Sequence, residues 1–131
     1  SDSKFKKSGL KLPNAWGLYD MLGNVCEWTL DHYEENRFAN GADSNNYILI
    51  AANKARYPKA LKGGGFNDAA GELRCANRFK SDASWNRRDP QIPKSKWWLT
   101  DAAAVGFRII RPLEQPDAKQ VNEFFKQYLG K

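Results

Sequence analysis

The stretch from Gly17 to Asp31, GLYDMLGNVCEWTLD, holds the residues whose types and spacing best suit chemistry. Two carboxylates, Asp20 and Glu27, stand on either side of a Gly23-Asn24 turn. A calcium ion takes six to eight oxygens, and a tight loop supplies them by mixing carboxylates with backbone carbonyls where glycine lets the chain bend. Asp20, Glu27 and the carbonyls between them make such a set. The same residues also read as ordinary structure, with Asp20 and Asn24 as turn formers, Glu27 as the partner of an arginine and Trp28 as core.

A second candidate lies in residues 81 to 103, SDASWNRRDPQIPKSKWWLTDAA, the stretch richest in Trp, Arg and Pro. Pro90 and Pro93 hold it extended, and Trp85, Trp97 and Trp98 offer flat surfaces to a glycan ring or a peptide. Arg78, Arg87 and Arg88 suit carboxylate or sulfate groups through forked hydrogen bonds. Against this stands a packing role, in which the tryptophans fasten the loop to the strands and Arg78 or Arg108 meets a buried acid. His32 is the one histidine, which reads as a loop imidazole. Cys26 and Cys75 match no zinc spacing; a disulfide, two buried thiols, or partners of cysteines in a further segment all remain open.

The elements that must position these residues are short. A length of 131 residues fits one modest domain. No apolar run approaches the eighteen or so residues of a membrane span, so the chain reads as soluble and globular. The Lys-rich start has no apolar core of the signal-peptide kind, and compartment cannot be read from it. Although the net charge is +6, the basic residues are scattered in small clusters rather than gathered on one face with aromatics, which argues against nucleic-acid binding. Turn formers recur about every ten residues from Pro13-Asn14 to Ile92-Pro93. Between them the pattern predicts strands over 25–30, 47–51, 60–66, 73–78 and 105–111. At the C-terminus Asp117 caps a predicted helix over about 117–129, whose Val121, Phe124, Phe125, Tyr128 and Leu129 recur at helical spacing and suit a docking face.

Three motifs in order, NAWGLYDMLGNVCEWTLD (14–31), LKGGGFNDAAGELRCANRF (61–79) and VGFRIIRP (105–112), resemble the C-terminal half of the formylglycine-generating enzyme, or sulfatase-modifying factor, family, with relatives in ergothioneine and pyoverdine biosynthesis. The resemblance implies an α+β, C-type-lectin-like fold of short strands, long ordered loops and, here, one C-terminal helix. The family domain is about twice as long, so residues 1–131 are expected to form its C-terminal half, completed by an N-terminal half or a partner chain. It further implies a structural calcium held by the side chains of Asp20 and Glu27 and the carbonyls of Gly23 and Val25. Family habit and calcium together imply an extracytoplasmic, periplasmic or secreted setting.

The resemblance also bears on catalysis. The aerobic oxidases of the family bind copper(I) through two cysteines just after the GGGF motif, because soft thiolates suit that metal. Here Asp68 stands where the first of them belongs, and no cysteine follows until Cys75, so no copper is expected. The iron of the ergothioneine-type relatives needs several histidines, and one cannot supply them. Cys26 replaces a tryptophan usual in the family, so a neighbour must fill the space or the thiol must find a partner. The reading is therefore a non-catalytic, calcium-stabilised binding or structural module. The alternative is part of a copper- or non-heme-iron-dependent oxidase whose catalytic residues lie outside this chain.

Overall fold

The structure is a computed structural model and describes residues 2–38, 55–86, 90, 92–93 and 102–129. A four-stranded mixed sheet lies at its centre: β1 (Cys26–His32), β2 (Lys59–Lys62), β3 (Phe79–Lys80) and β4 (Val105–Gly106), in the order β3-β2-β1-β4. β1 runs antiparallel to β2, with Glu27 opposite Lys62 and Trp28 opposite Leu61, and parallel to β4, with Cys26 opposite Val105 and Glu27 opposite Gly106. β2 runs antiparallel to β3. One helix, α1 (Ala118–Leu129), follows. The chain is thus a small α+β unit.

The sheet forms where side chains can be buried on a pleated surface. Ala60 and Leu61, adjacent on β2 and so pointing to opposite faces, are each 1% exposed, which means that both faces of this strand are covered. With Cys26 they are the buried apolar residues among those described. Trp28, across from Leu61, is half-buried and meets Tyr57 and Trp85 edge-on, each ring centroid 6.2 Å away. The β1–β2 register shifts between Trp28 and His32, and there the Thr29 hydroxyl donates to the Ala60 carbonyl at 2.8 Å, keeping that carbonyl satisfied. Buried Ser81 accepts the Lys59 amide at 2.6 Å on its Oγ and gives its own amide to the Lys59 carbonyl at 2.9 Å, extending the β2–β3 pairing by one residue.

Several expected strands come out shorter. The one over 60–66 ends at Lys62 because Gly63 and Gly64 take φ of +88° and +71°, which turns the chain out of the sheet. Residues 73–78 form no strand. A short 3₁₀ turn (Ala70–Glu72) precedes them, and Asn77 then donates its side-chain amide to both the carbonyl and the carboxylate of Glu72, closing the segment on itself. Extended pairing at 105–111 is confined to Val105 and Gly106, and residues 47–51 lie outside the described residues. The helix begins as expected: Asp117 Oδ1 accepts the Gln120 amide at 2.8 Å, and Gln120 Oε1 accepts the Asp117 amide at 2.9 Å, a reciprocal cap. On α1 the rings of Phe124 and Phe125 meet edge-on while staying 38% and 44% exposed.

Candidate functional site

The loop that precedes β1 is held from three directions. Asp20, Gly23 and Asn24 all have positive φ, which folds the loop tightly enough for its polar side chains to reach back to the N-terminal arm. Asn24 accepts the Lys6 amide at 2.8 Å and donates to the Lys6 carbonyl at 3.1 Å. Asp20 Oδ2 accepts the Gly9 amide at 2.7 Å. On the opposite side Gly23 donates its amide to the Gly63 carbonyl at 2.8 Å, and the Phe66 amide donates to the Asn24 carbonyl at 2.9 Å. Gly63 is needed here for closeness as well as for its φ, because a Cβ at that position would lie 3.2 Å from the Met21 carbonyl oxygen.

The third hold is Arg108, two residues past β4. Its Nε lies 3.1 and 3.0 Å from the two Glu27 oxygens, and its Nη2 lies 2.7 Å from Glu27 Oε1. The same Nη2 donates to the carbonyls of Tyr19 and Asp20 at 3.0 and 3.2 Å. Both groups are less than a third exposed, and the Glu27 contact pushes the guanidinium pKa further above its already high ordinary value. The parallel pairing of β1 with β4 makes this geometry possible, since Glu27 stands opposite Gly106. A Cβ on Gly106 would come within 3.0 Å of the Val25 side chain.

The structure therefore brings Asp20, Gly23, Val25 and Glu27 to the wall of one cavity of about 380 Å³, with Arg108 beside them. Two carboxylates in a carbonyl-rich loop are the right chemistry for calcium. In the arrangement described, however, both Glu27 oxygens accept from Arg108 and Asp20 accepts from the arm, so the loop already has a cation, and an entering ion must take Glu27 from the guanidinium.

Behind GGGF, Asp68 turns inward. Its Oδ2 accepts the Gly65 amide at 2.7 Å and lies 3.8 Å from the Cys26 sulfur. Gly64 lies tight against the Leu73 side chain, which a Cβ there would overlap. Burial, and then the Asp68 charge, push the Cys26 thiol up to about 11. Both cysteines are free, and Cys75 is exposed rather than buried. At pH 8 a thiol reagent should therefore label Cys75 promptly and reach Cys26 only when the chain unfolds. Because the folded state holds the Cys26 proton more tightly than the unfolded chain, its contribution to stability is complete below pH 9. That contribution should fall by about 1 kcal/mol per pH unit between pH 9 and 11. Melting against pH, compared with Cys26→Ala, reads this slope.

Of the second candidate site, Arg87, Trp97 and Trp98 lie outside the described residues. Trp85 packs against Trp28 at the sheet. The Arg78 guanidinium lies 5.5 Å over the Tyr33 ring and 4.9 Å over the Phe38 ring, and its Nη2 donates to the Glu35 carbonyl at 3.3 Å. These two residues serve packing here, while Arg78 Nη1 is buried without a hydrogen-bond partner among the described residues. The same holds for Nδ1 of His32, which sits at the end of β1 opposite Lys59. Sequence reasoning overlooked Asn24 as the clamp of the N-terminal arm. A Gly-Asn pair signals a turn and does not reveal where the side chain reaches.

Known proteins resemble the chain over part of its length. It is 35% identical over 78 residues to the serine/threonine-protein kinase pkn1 of Chlamydia pneumoniae, and 34% identical over 77 residues to that of Chlamydia caviae. Each match covers 53% of this chain and 11% of the relative, so the chain spans about a tenth of the length of these proteins. Among solved structures, Treponema denticola variable protein 1 superposes with a TM-score of 0.48 at 23% identity, over 80% of this chain and 31% of that one. A model of the sulfatase-modifying factor enzyme 1-like domain matches residues 2–92, more than half of the chain. With the GLYDMLGNVCEW loop, the GGGF turn and the arm that precedes them all inside that match, the chain belongs to the sulfatase-modifying factor enzyme 1-like domain family.

Proposed function

We propose that this chain is a non-catalytic binding or structural module, the C-terminal half of a C-type-lectin-like domain, completed by another stretch of polypeptide. One observation carries the reading: Asp68, at the position where the family's oxidases place a copper thiolate, is turned inward onto the Gly65 amide and the Cys26 sulfur. A carboxylate there is a poor ligand for copper(I), and its hydrogen bond makes it part of the fold. The need for completion rests on exposure. Leu12, Trp16, Ile109 and Ile110 are each more than 80% exposed, while the buried apolar residues described are few. The Phe124 and Phe125 face of α1 belongs to the same reading, as a surface that docks on the completing polypeptide.

Calcium enters as a competitor of Arg108 for Glu27. The ion would be held by the Asp20 and Glu27 carboxylates with the Gly23 and Val25 carbonyls, and its role would be to staple the loop. An extracytoplasmic setting completes the proposal. The kinase relatives favour a place for the chain inside a much larger protein, and any kinase or oxidase chemistry of that protein would come from residues outside this chain.

The test uses the full-length protein with copper(I) and a cysteine-containing sulfatase-type peptide, read by mass spectrometry. The expected result is an unmodified peptide; conversion of its cysteine to an aldehyde that is lost on Asp68→Ala or Cys75→Ala would overturn the non-catalytic reading of this chain. Thermal melting of the same protein checks the loop. Calcium should raise the midpoint over chelator, and Glu27→Ala should abolish that rise. Equal midpoints in the parent protein would remove calcium from the proposal.

A further inference from the structure

A second and larger cavity, of about 640 Å³, also borders loop 20–24. Four lysines of the N-terminal arm, Lys4, Lys6, Lys7 and Lys11, line it. Its remaining wall is largely aliphatic, with Leu10, Leu22 and Leu73 beside Phe66. Two carboxylates reach it, Asp20 and Asp68, and each already accepts a backbone amide, from Gly9 and Gly65. Lys6 also pairs with Asp2. Four lysines outnumber the carboxylates of Asp20, Asp68 and Asp2, which leaves a net positive charge beside an apolar wall.

The arm is not left to fray. Asn24 grips the Lys6 backbone through its amide and its carbonyl, Asp20 holds the Gly9 amide, and the Phe5 ring packs against Phe66 with centroids 6.5 Å apart. These bonds fix the line along which the lysines stand, so their convergence on one cavity is built into the fold. The loop read from sequence as a metal staple thus spends two of its polar side chains on holding a basic strap.

We propose that this cavity binds an acidic peptide segment carrying an aliphatic side chain. Lysines are compact point charges on flexible stems, and they follow carboxylates spread along a chain without the fixed fork geometry that arginine imposes. A sugar platform would present a flat indole, and among the described residues no tryptophan lines this wall. An aliphatic floor instead takes a leucine or isoleucine side chain, and a volume of this size accommodates a few residues. The site is distinct from the Arg78 and Trp85 surface and requires neither calcium at Glu27 nor the absence of catalysis.

The experiment measures fluorescence anisotropy of a labelled Glu-Leu-Glu-Glu-Leu-Glu peptide with the full-length protein that carries this chain. Lys7→Glu/Lys11→Glu should weaken binding about tenfold or more, and affinity should fall as salt rises. Lys119→Glu/Lys126→Glu on α1 changes the net charge by the same amount and should alter affinity less than about twofold, with circular dichroism reporting that both variants fold. Replacing the leucines of the peptide by serine should also weaken binding. Equal losses from the two double variants would reduce the effect to general charge attraction and overturn the proposal. So would an indifferent leucine-to-serine exchange, or displacement of the peptide by equimolar tripolyphosphate, which would assign the lysines to phosphate.

Discussion

Leu61→Ala should lower the stability of the fold by about 3 kcal/mol, a large fraction of the roughly 5–15 kcal/mol that keeps a single domain folded. Leu61 is 1% exposed and lies opposite Trp28 on β1 and Phe79 on β3, so its side chain joins three of the four strands. Removing three carbons there opens a cavity that β-strands, fixed by their ladders, close poorly, and the loss combines transfer and cavity contributions. The effect weighs more than in a large protein because the described residues offer so little other buried apolar surface to share it. Urea denaturation followed by tryptophan fluorescence is the direct measurement, since Trp28 sits at the contact. Leu61→Met keeps the volume and should cost less than about 1.5 kcal/mol. If Leu61→Ala loses less than 1 kcal/mol, the sheet is not the structural centre of the chain.

Arg108→Ala should cost about 2 kcal/mol, and Arg108→Lys should recover little of it. Three side-chain contacts to Glu27 and two to loop carbonyls end together when the guanidinium is removed, leaving a half-buried carboxylate without its counter-charge. Lysine restores the charge but not the fork that meets both oxygens and two carbonyls at once. In the double variant Glu27→Gln/Arg108→Ala no unpaired charge remains, so its loss should be smaller than the sum of the single losses. Denaturant midpoints for the four proteins close this cycle. Additive losses would reduce the pair to an ordinary surface contact, worth about 0.5 kcal/mol.

Much of the fold was legible because local chemistry and final structure agree. The Asp117 cap and the core of β1 follow from residue types that have few alternatives at those places. The failures share a cause. Leu73 to Arg78 has the apolar content of a strand, but Asn77 and Glu72 satisfy one another locally, and no sequence pattern reveals that a side-chain amide will outcompete a neighbouring strand. In the loop, the positions that converge were readable from the three motifs, whereas the partner of each carboxylate was not. Glu27 meets an arginine 81 residues away, a pairing set by the parallel alignment of β1 with β4, and Asp20 reaches an amide in an arm whose course depends on Asn24. The lysines of the arm lie close together in sequence, but the cavity they line was not legible, because the course of the arm depends on its bonds to Asn24 and Asp20.

The parallel pairing of β1 with β4 has a consequence for the order in which the molecule is made. Cys26 must wait for Val105 before the sheet gains its last strand, whereas β2, the antiparallel partner of β1, lies much nearer along the chain. On a ribosome adding roughly ten residues per second, β1 and β2 are synthesised several seconds before Arg108, and Glu27 faces solvent without its guanidinium throughout that interval. Closing so long a loop also costs chain entropy before any contact repays it. The loop at Asp20 to Glu27, translated early, is therefore among the last to reach its final form.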